Sequence, residues 1–264
     1  MTRAGIALLI LSAAACRETV RIGQALPETD PTYRWSFVLE RVVTEDGYVD
    51  YERLWHHRDD LDEYLSWLAY SPPVVADASR KSQWINAHNA FVLHSVLYTA
   101  DTRTAPPQWP ASPPNDTRFQ YDLDKDWVTP SQIRHAYLRG YSQDPRVAGA
   151  LIDGTRSGPP LRPYTYTDFD LDDELDEQMR WWVNDPDRGV VVVGGQVQVP
   201  QELTDTRNDI YRWTPGDSVC EFAALYADTE LATGLRSARC ELSPRERDGA
   251  LHHQTRPDRV QHRH

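Results

Sequence analysis

The polar residues best suited to chemistry lie within one apolar helical segment, KSQWINAHNAFVLHSVLY, at residues 81–98. Asn86 and Asn89 are three residues apart, so their side chains leave the same side of a helix, and His88 lies between them in sequence. A buried amide without a hydrogen bond costs about 1–3 kcal/mol, so polar groups must pack against this side. The two amides either hold a neighbouring loop on the helix or face a ligand.

The acidic run DFDLDDELDE, at residues 168–177, has the composition of a metal site. A calcium-binding loop that starts at Asp168 would need glycine five residues later and glutamate at its twelfth position. The chain has Asp173 and Met179 at those two places. This run therefore does not fit a calcium-binding loop. We expect the protein to hold no metal ion and no cofactor.

The first fifteen residues, MTRAGIALLILSAAA, combine one positive charge, a short apolar run and small residues at the end. This order is typical of a secretory signal peptide, and the run is too short to span a bilayer. Cys16 follows directly, and the junction resembles a bacterial lipobox with Ala13 where leucine is usual. Cleavage at an A-x-A site would expose the same residue, so only lipidation of Cys16 distinguishes the two cases. We expect an exported, lipid-anchored protein of the bacterial cell envelope, on the periplasmic side or at the outer membrane.

Cysteine use agrees with export. The chain has three cysteines, and lipidation of Cys16 would leave Cys220 and Cys240. In an oxidising compartment such a pair most simply forms a disulfide, and two buried free thiols are the alternative. A bridge that closes this loop would stabilise the fold by about 3 kcal/mol.

The formal net charge of -12 limits the classes of partner. Nucleic acids and anionic membrane surfaces both attract clustered positive charge, so neither is an expected partner. Contact with the membrane is expected only through the lipid anchor. The partner is expected to be another envelope protein or a small ligand.

Hydrophobic periodicity predicts the elements that must position these residues. Predicted helices cover residues 51–70, 81–98, 129–139, 171–184, 200–212 and 217–235. Short hairpins are predicted to reverse at Asp46-Gly47 and at Gly194-Gly195. The 264 residues then divide into a signal peptide at 1–15, a tether at 16–32, a single domain at 33–244 and a disordered polar tail at 245–264.

Several of these stretches together resemble the family known as domain of unknown function 547, over roughly residues 33–212. The pieces that carry the resemblance are, in chain order, Asp46-Gly47 with Val49-Asp50-Tyr51, Trp84-Ile85-Asn86-Ala87 with Asn89-Ala90, Leu138-Arg139, Asp144-Pro145-Arg146 and Pro159-Pro160-Leu161-Arg162. The resemblance implies an α+β domain with no established activity. With the predicted elements, we expect a mainly helical single domain with short β-hairpins.

The chain departs from the family pattern where reactive side chains would be expected. The pattern has a histidine two residues after Asp-Pro-Arg, a cysteine before a Gly-x-x-Ser turn and another cysteine before the paired prolines. Here Ala148, Asp153 and Gly158 hold those places. A histidine beside cysteines would suggest a thiolate and its base, so we expect no thiol-dependent activity from this chain. His88 stands where the family usually has tyrosine, and an acid–base pair of His88 and Asp153 is an alternative.

Two classes of function follow from these observations. The first is a non-catalytic envelope lipoprotein that binds a ligand or partner through polar residues of the shared motifs. Those residues are Asn86, Asn89, Asp144, Arg146 and Arg162. The second is a hydrolase or transferase that acts on envelope peptide or glycan through His88 and carboxylates. The second class requires His88 and Asp153 to lie within hydrogen-bond reach in a shared cleft.

Overall fold

The computed structural model describes residues 17–20, 32–71, 80–123, 126–214 and 218–254. Helices dominate this part of the chain and its strands are short, so the fold is α+β and mainly helical, as predicted. The helices are α1 (Thr32–Val42), α2 (Tyr51–His56), α3 (Arg58–Tyr70), α4 (Lys81–Thr99), α5 (Pro130–Gln132), a π-helical turn (Ile133–Leu138), α6 (Arg139–Ser142), α7 (Val147–Ala150), α8 (Leu171–Val183), α9 (Gln201–Trp213), α10 (Val219–Ala224) and α11 (Thr229–Ser237). The strands are β1 (Glu18–Val20), β2 (Phe119–Leu123), β3 (Asp126–Val128), β4 (Val191–Val193), β5 (Gln196–Val199) and β6 (Leu242–Pro244).

Helix α4 is the central element of the fold. All residues from Trp84 to Leu97 are buried, because apolar side chains occur on every side of the helix and leave no face for solvent. It packs against α3, α5 and the π-helical turn. The prediction of a core helix here is confirmed.

Two three-stranded sheets flank the helices. In the first, β2 pairs antiparallel with β3 and parallel with β1. In the second, β5 pairs antiparallel with β4 and parallel with β6. Gly194 and Gly195 both have positive φ at the reversal between β4 and β5, which confirms the predicted hairpin.

Segments near both ends of the described chain are more ordered than the sequence predicts. Residues 18–20 form β1 inside the predicted tether, and residues 245–254 of the predicted disordered tail pack on the domain with His252 buried. In both places backbone N–H groups donate hydrogen bonds to the rest of the domain. The N–H of Glu18 donates to the carbonyl of Arg118, and the N–H of His252 donates to the carbonyl of Gly154. The predicted signal peptide at 1–15 and Cys16 lie outside the described residues.

The buried apolar residues form two clusters that meet at α8. Leu175 of this helix belongs to the larger cluster around α4, whereas Met179 and Trp182 belong to a second cluster with α9 and α10. Cys220 of the second cluster is bonded to Cys240, with α-carbons 6.0 Å apart, so the predicted disulfide is present. Among the described residues, no helix has the length and apolar character that a membrane crossing requires.

Candidate functional site

A cleft of about 360 Å³ lies between the π-helical turn and α9. Its volume is within the usual range of small-molecule sites, which is roughly 300–1,000 Å³. The loop before β2, the segment 143–155 and Arg247 form its other sides. The side chains that line it are Pro113, Pro114, Asn115, Asp116, Arg134, His135, Arg139, Gln143, Asp144, Pro145, Val147, Ala148, Leu151, Asp153, Thr155, Glu202, Asp205, Thr206, Asp209 and Arg247.

The π-helical turn that forms one wall of the cleft follows α5, and a capping box fixes where α5 begins. Thr129 accepts a hydrogen bond from the backbone of Gln132, whose side chain binds the backbone of Thr129, so the predicted capping box is present. The chain then widens into the π-helical turn, a geometry that is rare and often found at functional sites. Arg134 and His135 of this turn line the cleft.

Asp153 lies in the cleft and is held in one position. Its carboxylate accepts hydrogen bonds from the backbone and hydroxyl of Thr155, both at 2.8 Å, and from Nη2 of Arg247 at 2.7 Å. A Cβ atom on Gly158 would come within 2.8 Å of the Asp153 Cγ atom and overlap Oδ1. Gly158 therefore provides the space that the carboxylate occupies.

The three places where the chain departs from the family pattern converge here. Ala148 and Asp153 both line the cleft, and Gly158 contacts Asp153 from behind. Neither described cysteine is a free thiol, because Cys220 and Cys240 are bonded to each other. Of these three places, residue 153 alone carries a polar side chain, the carboxylate of Asp153.

Glu202, in the first turn of α9, is another carboxylate that lines the cleft. Burial, and after it the negative charge of Asp153, raises the pKa of Glu202 to about 7, against the opposing charges of Arg134 and Arg247. The side chain keeps some contact with solvent, so water screens part of this effect. Near neutral pH, Glu202 can therefore carry a proton while it lies close to Asp153.

His88 lies away from this pair of carboxylates. It is fully buried on α4, and its Nδ1 atom is 3.1 Å from Oδ1 of Asn89. Burial, followed by the charge of Arg134, lowers the pKa of His88 well below its ordinary value. His88 does not line the cleft, and Asp153 instead binds Thr155 and Arg247. The acid–base pair of His88 and Asp153 is therefore not formed, because the helix turns His88 into the core.

Asn86 and Asn89 hold loops on α4. The amide of Asn86 donates to the carbonyl of Tyr166 at 2.8 Å and accepts from its N–H at 3.0 Å. Asn89 donates to Ala150 at 2.9 Å and accepts from Ile152 at 3.2 Å. The predicted packing of amides against the following loop is confirmed, with Asn86 reaching a residue just beyond the predicted segment 144–164.

The other three residues predicted to bind a ligand are engaged within the domain. Arg146 binds Asp144, and it also reaches two acidic residues of α8, Asp172 and Asp176. Arg162 is buried, with its guanidinium 5.1 Å from the centre of the Tyr166 ring. Of the five predicted binding residues, Asp144 alone lines the cleft, and Lys81 already pairs with it at 3.1 Å.

The tertiary structure adds three residues that the sequence did not single out for the site. Glu202 and Arg247 reach the cleft beside Asp153 from distant segments. His252 does not line the cleft; it is buried, with its Nε2 atom 3.0 Å from the hydroxyl of Tyr51. Burial lowers the pKa of His252 to about 4, although Asp153 opposes that shift. No local motif marks these positions, since each depends on contacts between segments that are distant in sequence.

Among the described residues, no group of three or more His, Cys, Asp or Glu side chains is placed to hold a metal ion. The charged side chains that line the cleft are guanidinium and carboxylate groups, which can bind a polar ligand or transfer protons.

Comparison with known proteins finds a similarity over part of the chain that lines the cleft. Residues 74–183 match the family model described as "Protein of unknown function, DUF547". No curated protein and no solved structure matches the chain. The matched range includes α4, the π-helical turn and Asp153, whereas Glu202 and Arg247 lie beyond it.

Proposed function

For a chain that carries a DUF547 family domain at residues 74–183, we propose a function as an exported, lipid-anchored envelope protein that binds a small polar ligand in this cleft. The cleft itself carries the proposal. It has the volume of a small-molecule site, and its charged groups come from several separate elements.

The fixed position of the polar groups supports binding. Asp153 is held by Thr155 and Arg247, and Arg139 pairs with Asp209 on the opposite wall. Side chains held in this way lose little conformational freedom when a ligand arrives, so less of the interaction energy is lost to ordering. The bond between Cys220 and Cys240 leaves neither of these two cysteines available as a thiolate.

Binding can be tested by filling the cleft. Calorimetric titrations would use the dipeptide Ala-Ala and the neutral disaccharide N,N′-diacetylchitobiose. Ala148→Phe places a ring in the cleft, and Ala136→Phe is the matched control because Ala136 is an exposed helical alanine of the π-helical turn that does not line the cleft. We expect binding of at least one probe by the wild type and the control, and its loss in Ala148→Phe. Equal binding by all three proteins, or by none, would contradict the proposal.

The envelope location rests on residues 1–15 and Cys16. A charged start, an apolar run and small residues before a cysteine support export followed by lipidation. Mass analysis of the mature amino terminus should find a lipid on Cys16, and Cys16→Ala should leave the membrane fraction. An unmodified Cys16, or a membrane-bound Cys16→Ala protein, would refute the lipid anchor.

The pair Asp153 and Glu202 favours a second candidate function, a hydrolase of envelope peptide or glycan. Protonated Glu202 would donate its proton to the leaving oxygen or nitrogen as that bond breaks. Asp153 would accept a proton from the water that forms the new bond. His88 takes no part in this version, because it is buried away from the cleft.

This second candidate has a separate test. Purified peptidoglycan would be incubated with the wild type, Glu202→Gln and Asp153→Asn, and the soluble fragments analysed by mass spectrometry. Hydrolysis predicts fragments from the wild type and at least a hundredfold fewer from either variant, which is about what loss of a general acid or base costs. No fragments from the wild type, or equal amounts from all three proteins, would leave binding as the function.

A further inference from the structure

The charged groups of the cleft differ in whether the protein already neutralises them. Arg247 pairs with Asp153 at 2.7 Å, and Arg139 pairs with Asp209. Asp144, the other acidic residue with a basic partner, is bound by Lys81. These pairs need no ligand to balance their charge.

Arg134 is the exception among the cleft arginines. Its Nη2 atom donates to the carbonyl of Ile152 at 3.1 Å, and no carboxylate of the described residues lies within ion-pair distance of it. Its Nε atom is buried without a hydrogen-bond partner. A guanidinium that lines a cleft in this state is suited to a planar anionic group, which it can bind through two parallel hydrogen bonds.

Besides Glu202, which can carry a proton near neutral pH, two carboxylates of the cleft have no basic partner within the described residues. Asp205 accepts a hydrogen bond from Gln201 at 2.8 Å, and Asp116 has no ion pair there. Both act on the pKa of His135 and raise it, in opposition to its burial and to Arg134. Both residues lie beside the helical stretch that carries Arg134: the carbonyl of Asp116 accepts from the N–H of Ser131 at 3.2 Å, and that of Asp205 accepts from Nη2 of Arg139 at 3.1 Å.

An unpaired guanidinium beside two unpaired carboxylates calls for a ligand that carries both charges. A ligand with negative charge alone would lie beside Asp116 and Asp205, and one with positive charge alone would lie beside Arg134. Like charges at short range cost free energy, whereas a zwitterion places each charge against its opposite.

We infer that the cleft binds a zwitterionic ligand, a free amino acid or short peptide, with its carboxylate on Arg134 and its ammonium group on Asp116 and Asp205. This inference rests on the proposed function, since it names the ligand class of the same cleft. The volume of about 360 Å³ accommodates a ligand the size of a dipeptide.

Capped dipeptides test each end of the ligand separately. Titrations would compare Ala-Ala with N-acetyl-Ala-Ala, which lacks the ammonium group, and with Ala-Ala-amide, which lacks the carboxylate. We expect each cap to weaken binding to the wild type by about tenfold or more, because each removes one charge-assisted contact.

Variants assign each end to its residue. Arg134→Gln should bind Ala-Ala and its amide equally while it still discriminates against the acetyl form, and Asp205→Asn should show the reverse pattern. Arg134→Lys keeps the charge without the planar fork and should retain part of the preference, which covers the case in which Arg134→Gln fails to fold. Arg236→Gln, at an exposed residue of α11, is the control and should behave as the wild type.

The result that overturns the inference is equal binding of the three dipeptides by the wild type, or unchanged discrimination in both Arg134 variants. Binding of N,N′-diacetylchitobiose but not of Ala-Ala would also overturn it. In that case, loss of the disaccharide in Ala148→Phe would still support the cleft as a ligand site, so the two proposals fail separately.

Discussion

The Asp153 carboxylate occupies the volume that a side chain on Gly158 would need. A Cβ atom at Gly158 would lie 2.8 Å from Asp153 Cγ and would overlap Oδ1. The carboxylate cannot turn aside freely, because Thr155 and Arg247 both bind it. The identities of residues 153 and 158 therefore depend on each other.

Gly158→Ala should destabilise the protein by about 1–3 kcal/mol, the usual cost of overpacking a fixed site. Denaturant unfolding would measure the change. Gly249→Ala is the matched control, because a Cβ atom there would meet nothing within 4 Å.

A double-mutant cycle tests whether Asp153 causes that loss. With Asp153→Ala, the methyl group at residue 158 gains space, so the double variant should lose less stability than the sum of the two single variants by about 1 kcal/mol or more. Additive losses would show that Asp153 is not the group that excludes a side chain at residue 158.

Asn86→Ala should lower the free energy of unfolding by about 1–3 kcal/mol, because it strands the buried N–H and C=O groups of Tyr166. Asn89→Ala should do the same through Ala150 and Ile152. Asn208→Ala, at an exposed residue of α9, should leave the melting curve unchanged. If the two buried variants also melt like the wild type, the amides do not hold the loops.

The stability of the protein should depend on the protonation of Glu202. Its pKa is raised from 4.5 to about 7, so between these values the folded state holds more protons than the unfolded state and stability falls as the pH rises. Glu202→Gln removes this dependence. Relative to the wild type, the variant should gain about 1–2 kcal/mol between pH 4 and pH 8, after allowance for solvent screening.

Glu230→Gln is the control for this measurement. Glu230 is the second residue of α11, as Glu202 is of α9, so both variants remove a charge from the same place in a helix. Glu230 is exposed, and its variant should follow the wild type across the pH range. Parallel stability curves for the wild type and Glu202→Gln would rule out the raised pKa.

The cysteines of the domain should be unreactive until they are reduced. A thiol-reactive probe should label neither Cys220 nor Cys240 in the native protein and both after reduction, since they are bonded to each other. Replacing both with serine should cost about 3 kcal/mol, because the unfolded chain regains the freedom of the closed loop. Selective labelling of either cysteine in the native protein, with loss of an activity, would instead indicate thiol catalysis.

Local sequence pattern and composition were sufficient to predict several helices and turns of this protein and the role of two buried amides. Apolar residues on every side of α4 identified the central helix, two glycines identified the turn between β4 and β5, and the capping box identified the start of α5. Asn86 and Asn89 could be expected to bind a loop because a buried amide must find partners whatever the surrounding fold. These features depend on residues that are close in sequence or on chemistry that holds in any fold.

Only the tertiary structure decided which polar groups share the cleft. His252 meets Tyr51 across 201 positions, and Arg247 meets Asp153 across 94. His88 lies close to Asn86 and Asn89 in sequence, but its helix places its side chain in the core. Contacts of this kind depend on how two apolar clusters pack around α8, and hydrophobic periodicity identifies a buried face without specifying which distant segment covers it.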